Sequence, residues 1–279
     1  MDPNQIEAWK EIIPESTLEL LLNPVAKGVG YTVAGLFYAV FGKIAKYGAA
    51  KNSEIDDLIN KTAKKIKEIP ENKQTNANNG IMLKGFEDSR YVLNDVLMRE
   101  YFSNLISKAA NKDYSDKITP YFSTVLGNLS VTDALFLQNF REGKRLIPAI
   151  AIAKIRFVDT HDSVSFSDYM QDIILEYNDD SKPTLKEHSE QIDTLESLGI
   201  LRRSYGISNE SEKDDLSKME QLVDSMDLKQ KLNGKFNINL NSANNHIFIT
   251  KHQYDNYKFI PGSLELTNLG KLFARIVLL

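Results

Sequence analysis

The chain has 279 residues, of which 42% are hydrophobic and 26% charged, a formal net charge of −4 and no cysteine. Such a length can hold two domains, and the composition is ordinary for a globular protein. The missing cysteines exclude a disulfide framework, thiol catalysis and any cysteine-ligated metal, and the mildly acidic balance is not that of a protein that coats nucleic acid through its phosphates.

No secretory leader is expected, because Asp2, Glu7 and Glu11 interrupt the N-terminus where a basic stretch and an apolar run would stand. Asp2-Pro3 instead predicts an N-cap with proline at the first helical position. Ile6, Trp9 and Ile13 follow as an apolar stripe, which Pro14 ends. A second helix is predicted from about Pro24 to Ala49. Gly28, Gly35, Gly42 and Ala49 fall seven apart, which brings them near one another on its surface. Each interior glycine costs about 1 kcal/mol against alanine. Close packing on a neighbouring helix, or a seam between copies, is the expected offset. Val33, Leu36, Phe37, Val40, Phe41 and Ile44 make this helix apolar nearly all round, which favours a buried core helix. The uncharged run 28–42 is shorter than the ~20 residues of a spanning helix. Membrane insertion is the minority alternative, drawn from the bracketing Lys27 and Lys43, the amphipathic Tyr31 and Tyr38, and the small-residue spacing.

Ser53 and Asp56 open a third helix, with Ile55, Leu58, Ile59, Thr62, Ile66 and Ile69 on its buried face. Lys61, Lys64, Lys65 and Lys67 lie mostly on the other side. They read first as a solvated face and second as a contact for an anionic membrane or nucleic acid. Pro70 stops the helix, and 71–80 reads as a mobile linker. A long helix is predicted over Phe86–Asn111, with Leu93, Val96, Leu97, Tyr101, Leu105, Ile106 and Ala109 inward. Thr119-Pro120 opens the next, with Tyr121, Phe122 and Val125 inward, and Ser130 with Asp133 opens another.

From residue 147 the pattern changes. The alternating, isoleucine-rich 147–158 predicts a strand. Helices are predicted over 166–177 and 183–199, the latter ended by Gly199. Strands follow at 200–205 and 257–264, then a final helix over 266–279 capped by Thr267. That order is the order of a winged-helix domain, and the phrases Glu196–Leu201 and Leu266–Gly270 look like those of winged-helix transcription regulators. The wing is interrupted at about 207–256 by an amphipathic helix (Leu216, Met219, Val223, Met226) and a hairpin of Phe236–Leu240 with Ile247–Lys251. The expected architecture is mainly α, of the α+β class. It comprises a helical bundle over 1–127 and a winged-helix-like domain with an elaborated wing over 128–279.

The candidate chemistry is sparse. A recognition helix at 183–198 would set Lys186 against Glu187, Glu190, Asp193 and Glu196, and those carboxylates repel phosphates. Arg202-Arg203 is the compact basic pair nearby. A protein-interaction or dimerisation module is therefore favoured over a nucleic-acid-binding regulator. His161, His188, His246 and His252 show no metal-ligand spacing, and His188 reads as a hydrogen-bonded residue at the edge of an apolar stripe. Glu87-Asp88 and Asp214-Asp215 are weak magnesium candidates. There is no phosphate-binding loop and no nucleophile elbow. No cofactor, metal or catalytic residue is expected.

The segment Met98–Leu137 carries one further pattern. It contains Phe102-Ser103-Asn104-Leu105 on a helix, a Lys112-Asp113 turn, Pro120 opening a helix, and Leu129-Ser130 with Asp133-Ala134 at a helix start. This resembles the central region of the abortive-infection alpha (Abi-alpha) family, bacterial proteins linked to resistance against bacteriophage. The resemblance runs from about Asn23 to the C-terminus and is thinnest between Ile207 and Asp255. It implies a bacterial anti-phage protein and supplies no catalytic residues. The expectation is a cytoplasmic abortive-infection protein that works by protein–protein contact, with a partner or another copy of itself and with a phage or host protein as trigger. A membrane-active effector built on helix 24–49 and a winged-helix nucleic-acid-binding regulator are the alternatives.

Overall fold

The computed structural model describes residues 3–22, 27–46, 52–160, 166–228, 232, 236–243 and 246–279. Asp2, Pro24, Ala49 and His161 lie outside the described residues. Two compact units emerge, Met1–Leu146 with Leu269–Leu279, and Ile147–Asn268. The division falls at 146/147, not at the expected 127/128, because the helices after residue 120 pack into the bundle and the C-terminal helix belongs to it as well.

The first unit contains α1 (Pro3–Lys10), α2 (Glu15–Leu22), α3 (Lys27–Lys46), α4 (Asn52–Lys67), α5 (Asn79–Ser89), α6 (Val96–Ala109), α7 (Pro120–Asn128) and α8 (Val131–Phe136). A short hairpin, β1 (Arg141–Glu142) with β2 (Arg145–Leu146), closes this stretch. In α6, ten of fourteen residues are buried, so it is the pillar on which α4, α5, α7 and α8 pack. The large apolar residues of α3 (Val33, Phe37 and Phe41) are fully buried, and the helix packs on α1, α2, α4 and α5. Phe37 and Phe41 meet Phe86 of α5 edge to face.

The second unit is built on an antiparallel five-stranded sheet. Its strands are β3 (Ala149–Val158), β4 (Phe166–Tyr177), β5 (Pro183–Glu187), β6 (Leu201–Tyr205) and β9 (Asn256–Leu266), in the order β5-β4-β3-β9-β6. Between them stand α9 (Ser189–Ser197), α10 (Lys213–Ser225) and a separate two-stranded sheet, β7 (Phe236–Ala243) with β8 (His246–Gln253). Leu216, Met219 and Val223 of α10 cluster with Ala151, Ala153, Ile155 and Phe157 of β3. Ile152, which points to the other side by alternation, is equally buried, so both faces of β3 are covered. A last helix, α11 (Asn268–Val277), follows β9 and lies almost wholly in the first unit.

The mixed α and β class is observed, but the winged-helix order is not. Residues 166–177 are a strand, not a helix. Phe166, Tyr169, Met170, Ile173, Ile174 and Tyr177 do fall at helical spacing. The reason is an irregular register. Ile173 pairs with Ala153, Met170 with Ile155 and Asp168 with Arg156, so β4 carries one extra residue at each of two adjacent points and the in–out phase resets twice. Asp172, inside the bulge between Met170 and Ile173, has φ +49. Residues 183–187 are also a strand, paired with β4, which shortens the expected recognition helix to Ser189–Ser197.

Other expectations change in the first unit. Phe86–Asn111 divides into two helices, because the Asp95 side chain accepts from the Met98 amide at 2.8 Å and so caps a new start. The stretch 71–78 is stitched down, not mobile. The Thr75 amide donates to the Ala110 carbonyl at 2.9 Å, the Lys112 ammonium donates to the Asn72 carbonyl at 2.9 Å, and Gln74 bridges to Asn111. Tyr121 is exposed, whereas Phe122 and Val125 are buried as the spacing implies. The helix α2 was not anticipated.

Candidate functional site

An α-helix leaves its last four carbonyls without intrahelical donors. For α11 those carbonyls meet α6. Asn104 and Lys108 stand four residues apart and therefore on one face of α6. Asn104 Nδ2 donates to the Val277 carbonyl at 2.7 Å. Lys108 Nζ donates to the carbonyls of Arg275 at 2.9 Å and Ile276 at 3.0 Å. Three consecutive carbonyls of the last turn are thus satisfied by two side chains. The lysine also places positive charge at the negative end of the helix dipole. Phe273 packs edge to face on Phe122 of α7, which fixes the apolar side of the same helix.

A cleft of about 320 Å³ opens beside these groups, between the end of α4, α6 and the 112–114 turn. Lys65 reaches in from α4 and is held by Glu100 at 2.6 Å and by Ser103 at 2.7 Å. Lys73 and Asp113 pair across it at 2.7 Å. The Lys108 ammonium sits 5.5 Å from the centroid of the Tyr114 ring. Burial pushes the Lys108 amine down to about 8, and the nearby Lys65 charge adds to that shift. A cleft where polar groups converge beside a perturbed titratable group is a candidate binding site.

Most polar residues of the Met98–Leu137 pattern have structural partners. Asn104 caps α11, and Asp113 holds Lys73. Pro120 occupies the first turn of α7. Ser130 and Asp133 form a reciprocal capping box at α8. Beside them, the Tyr101 hydroxyl donates to the Ala134 carbonyl at 3.1 Å. Phe102 and Leu105 are fully buried.

The basic residues singled out in the sequence are mostly paired. Lys61 bonds Asp57 at 2.6 Å, and Lys64 is exposed on α4. Arg202 meets its cross-strand neighbour Glu265 at 2.8 Å. Arg203 contacts Asp172 at 2.8 Å, Glu196 at 3.0 Å and also Asp193. An anion at Arg203 would have to displace carboxylates already in place. The Tyr205 hydroxyl donates to Asp172 at 2.6 Å, and burial followed by the Asp172 charge pushes that phenol well above its ordinary value. His188 bonds Glu176 at 2.7 Å and is nearly buried. His246 and His252 fall on β8.

The glycines of α3 are not equivalent. A Cβ at Gly28 would meet open space, at Gly35 the Trp9 ring at 3.5 Å, and at Gly42 the Tyr38 ring of the same helix at 3.3 Å. The close approach is at Gly30, where a Cβ would stand 1.8 Å from the Leu21 carbonyl oxygen. Gly30 is two residues off the seven-residue register, so that register does not reveal it. Lys108 also escaped the sequence reading. Its signal was its place four residues after Asn104. No helix among the described residues is long and apolar enough to cross a membrane.

A family model described as abortive infection alpha matches residues 50–277. Comparison with curated proteins and with solved structures gave no match.

Proposed function

Since the chain belongs to the abortive infection alpha family, we propose that it is a cytoplasmic phage-defence protein that acts by binding a protein partner, or another copy of itself, rather than by catalysis. The observation that carries this reading is the use made of the polar residues in the family pattern. Asn104, Ser130 and Asp133 cap helices, and Asp113 ties a turn. Polar groups committed in this way hold a surface in place. The apolar exposure nearby supports the same reading. Val131 and Leu135 share one face of α8, four residues apart, and both are exposed.

The test is a plaque assay on bacteria that express the protein, with folding checked by circular dichroism. Val131→Asp and Leu135→Asp should keep the fold and lose protection. His188→Ala, Asp88→Ala and Asp113→Ala, where folded, should keep most of it. A folded variant that lacks one polar side chain and loses all protection would point to an active site and overturn the binding reading.

A further inference from the structure

We infer that Lys108 is an acyl-acceptor lysine, modified by small activated acyl donors that enter the cleft between α4, α6 and the 112–114 turn, and that its acylation loosens the last turn of α11. This inference does not depend on the partner-binding reading.

The geometry supplies the first half. Lys108 lines the cleft and is part-buried. The Arg275 and Ile276 carbonyls take two hydrogens from it. A neutral amine has two hydrogens, so both acceptors remain satisfied after deprotonation while a lone pair becomes free for attack. The charged groups that line the cleft with it are Lys65 and Glu68 on α4 and Lys73 and Asp113 across it, and Tyr114 and Leu279 complete the wall. Lys65 is anchored by Glu100, yet it still disfavours a second cation beside it. With an amine held near 8, about half of Lys108 is neutral at pH 8, against roughly one part in three hundred for an ordinary lysine. The neutral form is the nucleophile.

The reaction balances without an oxidant or a reductant. The Lys108 nitrogen attacks the acyl carbon and forms a C–N bond. The carbon–oxygen bond to phosphate, or the carbon–sulfur bond to a thiol, breaks. The leaving group departs with the electron pair, and the nitrogen loses one proton to solvent. The product is an amide with a single N–H and no charge. One hydrogen must then serve two carbonyls, whereas the neutral amine offers two. Acylation therefore removes part of the cap that α6 provides, leaving Asn104 to hold Val277 alone.

The intact protein would be incubated at pH 8 with acetyl phosphate in one arm and acetyl-coenzyme A in the other, and site occupancy followed by peptide mass spectrometry. Lys108 should be acetylated at least about tenfold faster than the exposed Lys64 in one arm or both, and the arm that shows the preference identifies the donor. Lys65→Gln should reduce that preference by raising the Lys108 amine. In the acetylated protein, amide exchange should quicken in α11 and stay unchanged in α5. The site would be refuted if Lys108 were modified no faster than Lys64 in both arms. If α11 exchange were unchanged after full modification of Lys108, the conformational half would be refuted.

Discussion

Gly30 and Gly28 lie two residues apart on α3, and alanine should have opposite effects at the two positions. At Gly30 the new Cβ would fall 1.8 Å from the Leu21 oxygen and 2.7 Å from its carbonyl carbon. An ordinary contact is about 3.5 Å, so α2 would have to retreat by roughly 1.5 Å. It cannot do so freely, because Thr17, Leu18 and Leu21 are all buried. Overpacking of this kind costs about 1–3 kcal/mol or more. The gain in helix propensity, at most about 1 kcal/mol, does not offset it, and a net loss of about 2 kcal/mol is expected. At Gly28 nothing lies within 4 Å, so alanine keeps the propensity gain, up to about 1 kcal/mol. The two variants should thus differ by roughly 3 kcal/mol, which is more than 1 M in urea midpoint at a slope of about 2 kcal/mol per M. The chain has one tryptophan, Trp9, which is buried and sits 4.8 Å from the Tyr31 ring on α3. Its fluorescence therefore reports the unit in question. If Gly30→Ala unfolds at the same urea concentration as Gly28→Ala, or at a higher one, the close approach of α2 and α3 is refuted.

Arg99 is nearly buried and bonds Asp57 at 2.6 Å. Asp57→Asn should cost about 2 kcal/mol, less than the ~3–5 of a fully buried pair, because the Asp57 side chain is 30% exposed. Burial alone would raise the Asp57 carboxyl, but Lys61 and Arg99 hold it below its usual value of 3.8. Its contribution is therefore present above that value and lost as pH falls through the lowered one, and acid unfolding of wild type and Asp57→Asn should converge there. Lys108 behaves in the opposite sense. Its folded value, about 8, lies below the unfolded 10.5, so between those pH values the unfolded chain holds the extra proton and stability rises with pH. Lys108→Met should abolish that rise in a pH series of urea titrations. Ser130→Ala removes one half of the α8 capping box and should cost about 1 kcal/mol by the same measurement.

Where the sequence could be read, one local rule decided the outcome. Pro120 and the Ser130–Asp133 pair fixed two helix starts, because caps act within a single turn. The alternation of 147–158 predicted β3, because Ile155 and Phe157 turn inward while Lys154, Arg156 and Val158 stay part-exposed. Reading failed where a partner distant in sequence sets the conformation. Phe166–Tyr177 keeps a helical spacing, but pairing with β3 and β5 imposes a strand and the bulge at Asp172 absorbs the mismatch. The polar stretch 71–78 looked loose because its bonds go to residues some forty positions away. The same reason hid Lys108, whose acceptors lie 167 and 168 residues further on.

The Asp172 bulge also bears on the alternative DNA-binding reading. Asp172 is 2% exposed and sits at a left-handed backbone angle, a conformation that costs about 1 kcal/mol or more for a residue with a side chain. Such strain persists only when surrounding bonds over-determine it. Here they are the Arg203 guanidinium, the Tyr205 hydroxyl and the His188 amide, which donates to the Asp172 carbonyl at 3.1 Å. These link β4, β6 and the start of α9. The basic pair that looked suited to phosphate in the sequence is therefore engaged on one side by a cross-strand glutamate and on the other by this buried node. Arg203 is paired within the sheet and helps to hold the bulged Asp172 of β4 in place, whereas Arg202 keeps 72% of its side chain exposed beside Glu265.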